Sequence, residues 1–236
     1  MSHETNKRSR LNRRAFLRTA AVGAAFRGEV SPLAASWFEP RRSMTGFPNA
    51  QPDARFQELL AGNQRFVANR MTSLDEDLAI LRDRTVDKQK PFAAILSCAD
   101  SRVPVELVFD QSIGRLFVTR VAGNIVTPEI IASIEYAVAE LGVGAILVLG
   151  HSSCGAVKAA MKTATVPGQI SALYQHLRPA VESSAGDVSK AVEANARLQA
   201  GLLRTSSTVI HEAETKGTIK VAAAVYDLAT GKVVLS

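Results

Sequence analysis

The 236 residues are 47% hydrophobic, ample for one domain with a real core and marginal for two. Two cysteines exclude a disulfide-dense scaffold, and no apolar stretch reaches the ~18 residues of a membrane-spanning helix. The net charge of +6 arises wholly in residues 1–50, where nine Lys/Arg face three acids; residues 51–236 carry 19 charges of each sign, which excludes a basic footprint for nucleic acid on the body of the chain.

In chain order, the leader comes first. "RLNRRAFLRTAAVGAAF" places Arg13-Arg14 before Phe16-Leu17 and the small apolar run Ala20 to Phe26. It is similar to a twin-arginine export signal, which addresses proteins exported already folded. A basic tail without an address is the plainer alternative, since Arg27 and Glu29 interrupt the run. Ala34-Ala35-Ser36 is the candidate cleavage stretch. Residues 1–50 are therefore set apart as leader and linker, and residues 51–236 as the folded domain. The expected location is the periplasm, or the cytoplasm if the signal is not read.

Asp53 to Ala68 has Phe56, Leu59, Leu60, Phe66 and Val67 at helical spacing, with Asp53 able to cap. Leu74 to Val86 reads as a weaker helix. Phe92 to Ser97, Leu116 to Val121 and Ala145 to Gly150 are short apolar runs and read as buried strands. Thr127-Pro128-Glu129 opens a helix that runs to about Leu141 and stops at Gly142. Another helix starts near Gly155 and ends before Pro167. Residues 170–184 and 187–215 are helical. Lys220 to Tyr226 and Lys232 to Leu235 are β-like, joined by the turn "DLATG". The alternation predicts an α/β fold: a mainly parallel central sheet flanked by helices, with a C-terminal antiparallel edge hairpin.

Cys98 falls just past the first predicted strand, and His151 and Cys154 just past the third. Sites in open α/β sheets form beyond the carboxyl ends of strands, where the strand order reverses. If these two strands are neighbours, two sulfurs and one imidazole converge on one crevice. Cys, Cys and His are ligands suited to Zn²⁺, and three protein ligands leave a fourth position open, as in catalytic sites. A Cys98–Cys154 disulfide, or two small buried hydrophobes and a turn histidine, are the competing readings. Asp100 is the natural fourth ligand, but Arg102 beside it offers a guanidinium fork that would hold the carboxylate off the metal.

The pair "CADSRV" (Cys98 to Val103) and "GHSSCGAV" (Gly150 to Val157) resembles the signature of the β-class carbonic anhydrases. "LFVTRVAGN", "SIEYAV" and "YDLATGKV" resemble that family too, so the likeness extends over roughly residues 53 to 236. The resemblance implies a lyase with Zn²⁺ on Cys98, His151 and Cys154, and Asp100 with Arg102 as the catalytic dyad. Asp100 would bind zinc in a closed form and orient the zinc-activated water in an open one. The reaction would be the reversible hydration of carbon dioxide to bicarbonate and a proton. Gln89, Phe117 and Tyr136 match substrate-pocket positions to which a neighbouring subunit contributes, implying a homodimer or larger homo-oligomer, with neither nucleic acid nor stable membrane insertion. Arg115 departs from the family's usual Asp or Glu. Ile95 stands where some members have a Trp lining a regulatory bicarbonate pocket, so with only Arg120 and Tyr136 left that regulation is not expected. Carbon disulfide hydrolysis on the same site, and a closed zinc that only stabilises an interaction protein, are the alternatives. His176 and His211 have no evident place at the site.

Overall fold

A computed structural model describes residues 52–73, 85–162 and 166–236. The leader, 1–50, and most of the weak helix expected from Leu74 lie outside these residues. The elements are α1 (Pro52–Val67), β1 (Ala93–Ser97), α2 (Val105–Val108), β2 (Leu116–Arg120), α3 (Pro128–Ala139), β3 (Ala145–His151) and α4 (Gly155–Met161). A 3₁₀ turn (Ile170–Leu173), α5 (Tyr174–Glu182), α6 (Val188–Ser206), α7 (Thr208–Thr215), β4 (Lys220–Tyr226) and β5 (Val233–Leu235) complete them.

The strands form one sheet in the order β2-β1-β3-β4-β5. β1 pairs in parallel with β2 on one side and β3 on the other, and β4 runs parallel to β3. Only β5 is antiparallel, so the terminal hairpin contributes one parallel and one antiparallel strand. The chain leaves β1 in one direction to reach β2 and returns past it to reach β3. The order therefore reverses between β1 and β3, which is where a crevice opens at strand carboxyl ends.

Every residue of β1 and β3 is buried, because helices cover both faces. Alternate side chains of β1 divide between two cores. Ile95 joins Phe56, Leu59, Phe109 and Leu147 on the face covered by α1 and α2. Ala94 and Leu96 join Ile134, Ile146, Leu203 and Ile210 beneath α3, α6 and α7. A third cluster caps the carboxyl end: Cys98, Ile125, Cys154, Val157, Leu177, Ala191 and Val192.

Two backbone approaches fix α1. A Cβ on Gly62 would stand 1.8 Å from the Phe109 carbonyl oxygen, so only glycine fits there. Beside it the buried Asn63 amide donates to the Val108 (3.1 Å) and Gly231 (2.8 Å) carbonyls and accepts from the Val233 N–H (2.9 Å). One side chain thus ties α1 to α2 and to the β4–β5 turn.

Several local expectations need correction. Thr127 makes no capping bond to backbone; its hydroxyl donates to the Glu129 carboxylate instead (2.9 Å). Asp53 lies inside the first turn of α1 and pairs with Lys220 on the neighbouring strand. The long helix of residues 187–215 breaks at Ser207, whose extended backbone and hydroxyl (accepting from Ile210 N–H, 3.1 Å) start α7. Arg115 stacks on the Phe92 ring, 4.9 Å from its centroid, so a cation–π contact occupies the place where a carboxylate was expected.

Candidate metal centre

Cys98 follows β1 directly. The β1–β2 ladder continues past the strand ends, with Val121 N–H donating to Ser97 O (3.1 Å) and Ala99 N–H to Val121 O (3.3 Å). Arg120, at the end of β2, reaches across this loop. Its Nε donates to the Cys98 carbonyl (3.0 Å) and a terminal nitrogen donates to the Asp100 carbonyl (2.6 Å). The sequence offered Arg120 only as a relic of a regulatory pocket; here it clamps the loop that carries Cys98 and Asp100.

His151 closes β3, in register with Tyr226 of β4. The next turn is pinned to β4: Ser152 N–H donates to Tyr226 O (2.8 Å), and Leu228 N–H donates to the Ser152 hydroxyl (2.9 Å). Ser153 takes the left-handed conformation (φ 57°) that lets the turn swing Cys154 back towards His151. Gly155, the first residue of α4, has no such φ, and a Cβ there would meet nothing within 4 Å.

The two sulfurs and one imidazole nitrogen lie within 4.8 Å of one another, and all three residues are buried. Neither cysteine is in a disulfide. His151 Nδ1 contacts the Ser152 carbonyl at 3.0 Å. A carbonyl only accepts, so Nδ1 carries the proton and Nε2 presents its lone pair. That Nε2 is buried without a hydrogen-bond partner. A buried lone pair facing two sulfurs is costly unless something binds it. The donor set and the orphaned nitrogen together fit a zinc ion.

The sulfurs divide one proton. The Cys154 thiol donates towards Cys98, which lowers the pKa of Cys98 against the opposing effect of burial; the Gly123 and Asp100 N–H groups lower it further. Cys154 moves the other way, because it gives that hydrogen bond and is itself buried. Cys98 is thus the readier thiolate, and a cation would be needed to deprotonate both.

Asp100 stands at the rim. Arg102 Nε donates to its Oδ1 (2.9 Å), a terminal Arg102 nitrogen donates to Oδ2 (2.7 Å), and the Arg102 N–H also donates to Oδ1 (2.9 Å). These bonds, the guanidinium's first, hold the carboxyl far below the usual range against a small cost of burial. Asp100 Oδ2 lies 3.8 Å from His151 Nε2. The Arg102 side chain is 54% exposed and that of Asp100 17%. The pair therefore stands partly in solvent, and its hold comes from fork geometry more than from desolvation.

The pocket residues are not brought to this centre within one chain. Gln89 is exposed in the segment before β1. Phe117 pairs in register with Ala94, four residues before Cys98, or about 13 Å along the strand. Tyr136, on α3, is 50% exposed and its ring lies 6.2 Å from that of Phe117. Sequence reasoning also missed Asn195 and Gln199, buried polar residues on the inner face of α6. Their one signal was a polar pair at i, i+4 on that face.

Fold and site define a class: an enzyme of open α/β architecture with a three-ligand soft metal centre at the switch point and a carboxylate–guanidinium pair at its rim. The carbonic anhydrase family profile matches residues 93–233. Carbonic anhydrase 2 of Mycobacterium tuberculosis is 36% identical over 196 residues, 80% of this chain and 94% of that protein. A carbonic anhydrase of Mycolicibacterium smegmatis is 35% identical, over 80% and 95%. Among solved structures, a tetrameric β-carbonic anhydrase of Sordaria macrospora superposes with a TM-score of 0.61 at 25% identity, covering 77% of this chain and 96% of the other. The Coccomyxa β-carbonic anhydrase in complex with acetazolamide gives 0.60 at 27%, covering 75% and 84%. The chain belongs to the carbonic anhydrase family, in its β class, and is an enzyme whose metal is zinc.

Proposed function

We propose that the chain catalyses the reversible hydration of carbon dioxide to bicarbonate and a proton, with zinc on Cys98, His151 and Cys154 and with Asp100 and Arg102 as the catalytic pair. The observation that carries the division of labour is the Asp100 carboxylate, gripped by Arg102 yet 3.8 Å from His151 Nε2. A zinc held by Cys98, His151 and Cys154 would lower the pKa of a bound water to roughly 7 and so make it a nucleophile at neutral pH.

The chain's own residues do the rest. Arg102 keeps Asp100 ionised, and an ionised carboxylate only accepts hydrogen bonds. Oδ2 is accordingly placed to accept an O–H from such a water and would turn its lone pair towards the substrate. The same fork opposes rotation of Asp100 onto the ligand set. Ile125 and Val157 pack around Cys98 and Cys154, which keeps bulk water from the sulfurs. The test is paired measurement of zinc content and carbon dioxide hydration on one preparation, with Cys154→Ser alongside. About one zinc per chain with hydration, both lost in the variant, is expected. Stoichiometric zinc without hydration would instead mark a structural metal.

Two finer readings accompany this one. Gln89, Phe117 and Tyr136 serve a substrate pocket completed by a second copy of the chain, in a homodimer or larger assembly. What supports this is the exposed Tyr136 ring beside Phe117 and the tetrameric state of the Sordaria relative. Residues 1–50 form a leader whose Arg13-Arg14 direct export of the folded domain, residues 51–236. Lys at both positions should retain the active protein in the cytoplasm; a wild-type protein that fractionates with the cytoplasm carrying its full N-terminus refutes the export reading.

A further inference from the structure

We propose that Asn195 and Gln199 of α6 are positioning residues of the metal centre, holding residues 121–126 so that the Gly123 N–H stays on the Cys98 sulfur and thereby setting zinc affinity and the donor strength of that thiolate. The inference rests on the zinc reading of Cys98, His151 and Cys154.

Gly123 N–H points at Cys98 Sγ at 3.3 Å, inside the protein. The residue has φ 78°, and a Cβ there would meet both Leu177 methyls at 3.1–3.2 Å. Its peptide can turn towards the sulfur only while the following residues hold a left-handed pair, Gly123 and Asn124 (φ 44°). Such a conformation persists only where its surroundings over-determine it.

The surroundings are two amides from one helix. Asn195 Nδ2 donates to Gly123 O (2.8 Å), and Gln199 Oε1 accepts from Val126 N–H (2.7 Å). Gln199 Nε2 donates to Asn195 Oδ1 (3.0 Å) and to His176 O (3.2 Å). The polarity of the chain is settled at both ends. The Gly123 carbonyl can only accept and the Val126 N–H can only donate, so each amide has one workable orientation. Asn195 is 1% exposed and Gln199 fully buried, on a helix face otherwise made of Ala191, Val192, Ala196, Ala200 and Leu203. Apolar residues would fill these positions without the risk of unmet hydrogen bonds. Their placement makes sense as a brace on the segment that bonds the metal's sulfur. Groups that orient metal ligands in this way are typically worth about 10- to 100-fold in affinity.

The experiment compares wild type, Asn195→Ala, Gln199→Met and Leu203→Ala. Leu203→Ala lies on the same helix in the far core and serves as a control for lost stability. Two readouts are taken: zinc affinity by chelator competition, and the sulfur-to-metal charge-transfer absorption of the cobalt-substituted protein. Asn195→Ala and Gln199→Met should bind zinc about 10- to 100-fold more weakly and shift the cobalt band. Leu203→Ala should melt at a lower temperature with the band unchanged. Gln199→Met fills nearly the same volume and removes only hydrogen bonds, so it decides the matter if Asn195→Ala does not fold. A wild-type cobalt spectrum in Gln199→Met, or equal losses in Leu203→Ala, overturns the inference. Wild-type protein that takes up neither metal instead overturns the zinc reading beneath it.

Discussion

Arg102 shows how one side chain separates a working centre from a saturated one. Its fork is the chief hold on the Asp100 carboxylate, and it does so half in solvent. Removing it costs little folding energy, since the guanidinium stands in solvent, where an ion pair is screened and weak. It does free Asp100 to turn inward. Arg102→Ala is therefore expected to fold, to retain zinc, and to lose at least about 100-fold in hydration rate, the scale on which misplaced catalytic groups act. Zinc content and rate measured together decide it; an Arg102→Ala enzyme with most of its activity would mean the pair is merely structural. A second carboxylate, Asp110, tests a different principle. Burial raises its pKa, but bonds from Arg65 and from the Ser73 and Thr72 N–H groups prevail and hold it at about 2. Its folded pKa lies below the unfolded value of about 3.9. The linked stability is thus complete above about pH 4 and disappears as the pH falls towards about 2. Asp110→Asn should be less stable at neutral pH and lack that acid limb, as urea melts across the range will show.

Among the elements, α1 is held by one polar residue rather than by its apolar stripe alone. Asn63→Ala leaves two carbonyls and one N–H without their partner, each worth about 1–3 kcal/mol if left dry. A loss of at least about 2 kcal/mol in urea-unfolding free energy is expected. Nothing near Asn63 in the sequence announces this, because its partners are about 45 and 168 residues away. The same division runs through the whole fold. The strands were legible because Phe92 to Ser97 and Ala145 to Gly150 are short, apolar and bounded by Pro and Gly. The ligand set was legible because chemistry confined to two motifs sits at strand ends. The break at Ser207 was not, since apolar residues keep their helical spacing through it while the backbone turns on a serine cap. Nor was the role of Arg120, for its acceptors are main-chain carbonyls, which every residue has.

At the scale of the molecule, the metal binds only the folded chain. A ligand of that kind stabilises in proportion to the logarithm of its concentration over its dissociation constant. Stripping zinc with a chelator should lower the melting temperature by several degrees, and restoring zinc should recover it. An unchanged melt would show that the sheet closes without help from its crevice. Light scattering on the active protein should reveal no monomer. An active species of monomer mass would mean that Phe117 and Tyr136 do not serve a shared pocket.

The position of β3 between β1 and β4 also has a meaning in time. Cys98 is joined to the growing chain while the partners it needs are more than fifty residues from being made. At typical synthesis speeds of about 5–20 residues per second, it waits roughly 3 to 11 seconds for Cys154. During that interval no chelate can exist, because its donors lie on strands that are not yet neighbours. The ion can enter only after β3 has docked beside β1, as a clasp fastened once both ends of the crevice exist. A cell that makes this protein must therefore keep a solitary thiol from oxidants during synthesis, and must keep zinc within reach at the end of it.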